Sequence, residues 1–285
     1  MGGRFFSHKR SHRIVSDAMT KRNLFRILVS LLIISLLLSL LHHILYLCSD
    51  QTICDRESAI KWQSFVNVSY QKSNVLLPVR SRYQLGYVLQ AFGFTGAGAE
   101  LGVDRGSFAR AILQSWSSCE EFYLIDPWDS GIGMLSGQQR LESTLEKIQP
   151  WIDKVRVLRM KGLEAADQIA DLSLDFVYVD ALHDYCSVRD DVGLFWPKVK
   201  PGGIMAGHDY VDVKDLKRQS LIGKFIQLFE SPAGWEKCPD GSVHPGAVQA
   251  AIQELAVKHN LVLSATDYEP YGPFRIASWI IRKPL

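Results

Sequence analysis

"DFVYVDALHDYCSVRDDVGLFWPKVKPGGIMAGHDY", Asp175 to Tyr210, contains one complete strand–helix–strand unit. "SLDFVYVDALH" is an apolar strand that ends at Asp180. "YCSVRDDVGLFWPKV" has the apolar spacing of a helix, stopped by Lys200-Pro201-Gly202-Gly203, and "GIMAGHDY" is the next strand. Short apolar strands separated by helices of this length predict a parallel sheet with helices on both faces.

The same alternation runs outward from this unit. Upstream, "RYQLGYVLQAF" is helical, "GAGAELGV" is a buried strand and "SFARAILQSW" is a helix. "EEFYLIDPW" is a strand ending at an acid, "RLESTLEKIQPWI" a helix, "VRVLRMKG" a strand and "GLEAADQIADL" a helix. Downstream, "PGAVQAAIQELAVKHN" is a helix, and "LVLSA" and "ASWIIRKP" are two final strands. The expected fold class is α/β: a Rossmann-like, doubly wound, mostly parallel seven-stranded sheet with an antiparallel last strand, preceded by a single transmembrane helix.

In such sheets ligands bind beyond the carboxyl ends of the strands, where the strand order reverses. The first strand leads into Gly102-Val103-Asp104-Arg105-Gly106, a glycine-poor form of a nucleotide loop. A dinucleotide pyrophosphate would be repelled by Asp104, whereas a cofactor with no phosphate and an amino-acid ammonium group suits both Glu100 and Asp104. S-adenosylmethionine has those properties. Gly102 and Gly106 would let it approach the backbone, and Asp126, at the end of the next strand, sits where a ribose diol is gripped. Leu163 and Glu164, after the third strand, would lie near the adenine, and Asp180 counts among the cofactor residues too.

Asp180 and His183 close one strand and His208-Asp209 close its neighbour, so parallel pairing should bring the two ends together. Asp180, His208 and Asp209 are the expected ligands of a divalent cation, magnesium or manganese. His183 or His208 would be the base that takes the proton of a poorly nucleophilic hydroxyl. Trp196, Trp279 and Phe195 are expected in the core, and Arg105 at the surface or at a helix start.

The chain from about Tyr83 to Arg282 resembles a class I S-adenosylmethionine-dependent methyltransferase. "AELGVDRGSFA", "YLIDPW", "YVDALHDYCSVRDDV" and "KPGGIMAGHDY" resemble the methyltransferase domain 24 family, related to the macrocin and rhamnosyl O-methyltransferases. The family pattern D-x-x-H-x-Y-x-x-V-x-x-D is met by Asp180, His183, Tyr185, Val188 and Asp191. The resemblance implies methyl transfer to a hydroxyl. It also implies acids at two neighbouring strand ends in the metal-dependent members; Asp180 and Asp209 match, and His208 stands where several relatives have a carboxylate.

The remaining signals concern location. The net charge of +2 argues against a nucleic-acid binder. Ile27 to Cys48 holds no Asp, Glu, Lys or Arg, and about 20 apolar residues span a bilayer core. The run is longer than the apolar region of a cleaved signal, so it reads as an uncleaved signal anchor. Lys and Arg crowd its N-terminal side, which sends the rest of the chain into the lumen. The expected organisation is a cytosolic tail (1–26), an anchor (27–48), a stem with a leading helix (49–82) and a methyltransferase domain (83–285). Asn67-Val68-Ser69 would then be a usable glycosylation site. Cys54, Cys119, Cys186 and Cys238 permit disulfides but match no zinc spacing, and buried free thiols are the alternative. This layout, a single-pass type II protein of the Golgi or ER membrane, suggests a glycan hydroxyl as acceptor. A lipid or small-molecule acceptor, or a non-catalytic scaffold, are the other readings.

Overall fold

The computed structural model describes residues 79–129, 135–213, 234–267, 269–271 and 274–285, with the side chains of 269–275 left aside. The expected tail and anchor, most of the stem, Asn67 and Cys54 lie outside these residues. Among the described residues no helix is long and apolar enough to cross a membrane.

The strands are β1 (Ala97–Leu101), β2 (Glu121–Ile125), β3 (Val155–Leu158), β4 (Leu174–Val179), β5 (Val199–Tyr210), β6 (Leu263–Ala265), β7 (Glu269–Tyr271) and β8 (Phe274–Arg282). The helices are α1 (Leu85–Ala91), α2 (Ser107–Ser115), α3 (Gly137–Ile148), α4 (Gly162–Ala166), α5 (Tyr185–Phe195) and α6 (Ala247–Lys258). Seven strands form one sheet in the order β3-β2-β1-β4-β5-β8-β6, and β7 pairs with β8 off this path. β1 to β5 are mutually parallel, and β8 runs antiparallel to both β5 and β6. The expected mostly parallel sheet with an antiparallel last strand is therefore what forms.

The alternation of side chains along each strand fills two layers. Phe176 and Tyr178 of β4 face one way, into a cluster with Leu89 of α1, Phe108 and Ile112 of α2, and Ile148 of α3. Val177 and Val179 face the other, into a cluster with Val192 and Phe195 of α5, Ile252 of α6, and Trp279 of β8. Phe195, Trp196 and Trp279 are core residues, as expected. Each large apolar side chain so buried contributes roughly 1.5–3 kcal/mol.

Local chemistry sets the helix starts. Ser136 and Gln139 form a reciprocal capping box on α3, and Asp184 accepts the Ser187 amide (3.0 Å) to cap α5. α5 ends at Phe195, just ahead of Pro197, and the segment expected only to stop it, Lys200 to Gly203, is instead the first part of β5. The helix expected over "GLEAADQIADL" is short, Gly162–Ala166, because the chain then turns to bury Ile169.

β1 and β4 are neighbours in the sheet although two strands separate them in sequence, so the strand order reverses between them. Beyond their carboxyl ends lies the crevice where such folds bind ligands. β5 delivers its last residues to the same edge through a register shift between Gly207 and Tyr210. A Cβ on Gly207 would overlap the Val179 carbonyl oxygen and come within 2.6 Å of the Trp279 ring. Gly207→Ala is expected to destabilise the domain by about 1–3 kcal/mol, the usual range for overpacking, and urea unfolding with an unchanged midpoint would refute the packing described.

Candidate active site

Four strand ends converge here. The loop after β1 is held in shape by Asp126, at the end of β2. One Asp126 oxygen accepts the amides of Val103 and Asp104 (3.1 Å each), and the other accepts the amide of Trp128 (2.7 Å). Trp128 returns the contact, its indole N–H donating to the Asp104 carbonyl (2.9 Å). Asp126, expected to grip the ribose, thus also ties β1 to β2.

Asp104 has a positive φ of 50°. Its carboxylate pairs with Arg105 (3.1 Å) and with buried Arg140 (3.4 Å), while its carbonyl accepts Thr144 Oγ1 (3.1 Å) as well. The expected role of Asp104, facing the cofactor's ammonium, therefore meets two arginines that already hold the carboxylate. Arg105 is exposed, as expected. Gly102 (φ 80°) and Gly106 (φ 72°) have packing reasons of their own. A Cβ on Gly102 would overlap the Asp180 carbonyl and reach Ala181 Cα at 2.5 Å, and one on Gly106 would meet Thr144 Cγ2 at 2.9 Å. Both glycines permit close approach of one part of the protein to another.

Glu100 is buried beneath this loop, and among the described residues its Oε2 has no hydrogen-bond partner. Burial first, and then the charge of Asp180, push its carboxyl well above the usual carboxylate range, against the pull of Arg82. An unsatisfied buried oxygen costs roughly 1–3 kcal/mol. Its chemistry suits an incoming donor, the property required of a residue at the amino-acid end of S-adenosylmethionine. Leu163, in α4, is 64% exposed. Glu164 accepts the Lys161 amide (3.1 Å) and so caps α4.

Asp180 and Asp209 meet as the adjacency of β4 and β5 requires. His183 Nε2 lies 3.1 Å from Asp209 Oδ2 and 3.9 Å from Asp180 Oδ1. His208 Nδ1 lies 3.1 Å from Asp209 Oδ1 and 3.9 Å from Asp180 Oδ1. The ligand atoms of Asp180, His183 and Asp209 all fall within 4.8 Å of one another, and His208, the histidine suggested by the sequence, stands at the same distances from both acids. The cause is local. Asp209 adopts φ 55° at the end of β5, a left-handed conformation rare outside glycine and common at functional sites. Its carboxylate is thereby shared between both histidines.

Arg82 was not singled out from sequence. From the short 3-10 turn Arg82–Gln84 its Nη1 reaches Asp180 Oδ2 at 3.1 Å. Burial raises the Asp180 carboxyl, with Asp209 adding to the effect, and His208 and Arg82 restrain it. At Asp209 burial also acts upward, but His208 and His183 outweigh it and leave the carboxyl well below the usual range.

Cys186 and Cys238 form a disulfide, and His244 lies near enough for the three to converge, but the two sulfurs are bonded to each other. Cys119 is a free buried thiol that burial pushes up to about 12, out of reach of ordinary thiol chemistry. Asp191 of α5 packs on the start of α4, its Oδ1 2.7 Å from where a Gly162 Cβ would stand. Burial first, then Asp190 and Asp184, raise it to about 7.

Residues 99–210 match the model of a methyltransferase-domain family. A curated relative, the uncharacterised protein y4gI of Sinorhizobium fredii, is 31% identical over 91 residues, which are 31% of this chain and 10% of that protein. The match thus spans about a tenth of the relative's length. Among solved structures, an O-methyltransferase from Bacillus cereus in complex with S-adenosylhomocysteine is similar at TM-score 0.49 and 14% identity, covering 84% of this chain and 96% of that one. An N-methyltransferase, NodS of Bradyrhizobium japonicum, also with S-adenosylhomocysteine, is similar at TM-score 0.46 and 13% identity, covering 72% and 86%.

Two outcomes are expected. Asp126→Ala removes the acceptor of three backbone amides, and should lower stability by about 1–3 kcal/mol while weakening S-adenosylmethionine binding. A folded variant with wild-type affinity by calorimetry would take Asp126 out of the site. For Asp191, the folded protein holds a proton between pH 3.8 and about 7 that the unfolded chain has released. Stability should therefore fall as pH rises through that window and level off above it. Asp191→Asn should flatten the fall in melting temperature between pH 5 and 8, to the benefit of the variant at pH 8. Parallel curves for the two proteins would contradict the assignment. Residues 99–210, which carry most of this geometry, are thus similar to a methyltransferase domain.

Proposed function

We propose that the protein is a membrane-anchored O-methyltransferase that methylates a sugar hydroxyl on a glycan or polysaccharide in the Golgi lumen. The observation that carries the O-methyl reading is the His183–Asp209 pair, 3.1 Å apart, at the edge that Glu100 and the β1 loop share. A hydroxyl must lose its proton as it attacks, and a histidine oriented by a carboxylate is suited to take it. With Nε2 turned to Asp209 as donor, Nδ1 carries the lone pair that accepts the proton. Asp209, held ionised, stabilises the imidazolium that results. The choice between the two histidines follows from access: the His183 side chain is 26% exposed, and that of His208 is 3% exposed. His208 supports Asp209 from behind.

S-adenosylmethionine, when bound, supplies an electrophilic methyl on its sulfonium. Glu100 would hold its amino-acid end, Asp126 its ribose and Leu163 its adenine. Arg82, 3.1 Å from Asp180, favours the charged form of that carboxyl against the effect of burial. The convergence of Asp180, His183 and Asp209 also favours a second reading, in which magnesium or manganese is held there and supplies the acidity of the acceptor hydroxyl. In that arrangement His183 is a ligand and the base is His208. The positive charge that Arg82 already brings to Asp180 favours the metal-free arrangement.

The lumenal placement is supported by the apolar run Ile27–Cys48, by the basic residues that precede it, and by the Cys186–Cys238 bond, since disulfides persist in oxidising compartments. A lipid or small-molecule acceptor at the membrane would use the same chemistry. Mass spectrometry of glycans from knockout and parent cells tests the acceptor. Loss of one-methylene mass increments in the knockout supports a glycan, and identical glycan spectra with a changed lipid profile would move the acceptor to lipid. A protease that digests a C-terminal tag in intact microsomes would overturn the lumenal placement.

The mechanism makes its own prediction. His183→Ala should lower turnover by about 10²–10⁴-fold, the usual contribution of a general base, with S-adenosylmethionine affinity little changed, and activity should survive exhaustive chelation with EDTA. Activity lost on chelation and restored by manganese or magnesium would select the metal reading.

A further inference from the structure

The chain from Gly234 to Pro245 forms a small hairpin beside the proposed base. Lys237 bridges to Val243, the Cys238 amide donates to the Ser242 carbonyl (2.9 Å), and the His244 amide donates to the Glu236 carbonyl (2.7 Å). The hairpin meets the turn into α5 at three points. The Trp235 ring stands edge-on to the His183 imidazole, with centroids 4.5 Å apart and planes at 68°. The His244 ring stacks on Tyr185 at 4.3 Å. Cys238 is bonded to Cys186 in the first turn of α5. At its far end the hairpin is tied to the end of β5, where the Val213 amide donates to the Pro245 carbonyl (3.0 Å). Trp235 itself rests on Val211 and Ile276.

An imidazole with one nitrogen on a carboxylate still has freedom to swing about its side-chain bonds. Asp209 fixes one side of His183, and Trp235 occupies the side from which the ring would otherwise rotate away. A single aromatic contact from an exposed hairpin is weak against the entropy of ordering that hairpin. A covalent bond three residues from the histidine makes the contact intramolecular and raises its effective concentration. We infer that Trp235 is a positioning residue for His183, and that the Cys186–Cys238 bond is the clasp that keeps it there. The inference rests on the reading of His183 as the base.

The test needs no acceptor. Diethylpyrocarbonate carbethoxylates accessible imidazoles, and peptide mass spectrometry reads the rate at each histidine in the folded full-length chain. Trp235→Ala is expected to raise the rate at His183 several-fold, and Trp235→Phe to restore the wild-type rate, since any ring blocks the same swing. The double variant Cys186→Ala/Cys238→Ala should match Trp235→Ala. His208, sealed behind Asp209, should stay unmodified throughout. An unchanged His183 rate in Trp235→Ala overturns the positioning role, and an unchanged rate in the double variant overturns the clasp. A rise at His208 in step with His183 also overturns the inference, because the hairpin would then be holding the whole sheet edge. If the double variant does not fold, the Trp235→Ala and Trp235→Phe pair still decides the positioning role. Calorimetry with S-adenosylmethionine on the same proteins separates failures: a wild-type chain that binds none sinks the methyltransferase reading and leaves the His183 rates readable.

Discussion

The backbone of Gly102 lies against the backbone of Asp180, with no room for a side chain between them. This contact joins the end of β1 to the end of β4 at the point where the strand order reverses. Around it the chain has to place a cofactor loop on one side and an acid-rich strand end on the other. The Asp180 amide donates to the Leu101 carbonyl (2.8 Å) and the Gly102 amide to the Ile125 carbonyl (2.9 Å), so three strand ends are stitched at one level. Glu100, Asp126 and Asp180 share a small volume because of this stitching, and their charges must be settled together.

The settlement is visible in the partners. Asp126 spends its charge on three backbone amides. Glu100, one of whose oxygens has no hydrogen-bond partner among the described residues, is pushed well above the usual carboxylate range by burial. Asp180 is matched by Arg82, and Asp209 by two histidines. Two buried carboxylates this close cannot both ionise without nearby positive charge. Arg82 lies beside Asp180 and favours its charged form, while burial still raises that carboxyl.

How much of this the sequence disclosed depends on the range of each interaction. β4 and β1 are buried on both faces, so they appear as continuous apolar runs and their ends are legible. The convergence of Asp180 with Asp209 follows from two adjacent parallel strands and needs no side-chain detail. Arg82 acts across 98 residues from a turn too short to have a period, and nothing local marks it. That His183 and His208 both flank Asp209 goes with one backbone angle, φ 55° at Asp209, and a register shift in β5. Pattern in the sequence reports which residues end a strand; it does not report how the last of them is twisted. Trp128 escaped for a related reason, since its indole closes the β1 loop from β2 through a carbonyl. The β7 strand, three residues long, is too brief to show an alternation.

The site divides by chain order. In the proposed function the cofactor side is built mostly from residues 100 to 164, by short loops whose amides, caps and glycines are fixed within the sheet itself. The acceptor side is built after residue 180, where Asp209 is held in a strained conformation and the hairpin at 234–245 is held by a bond. A loop far from its strands in sequence carries a larger closure entropy than the turns between neighbouring strands. The cofactor half can therefore be made from local geometry, and the acceptor half needs covalent help. In the proposed function, variation in the hairpin would alter what reaches His183 without touching the residues assigned to the cofactor, and would give the fold a place to change acceptors while its methyl donor stays the same.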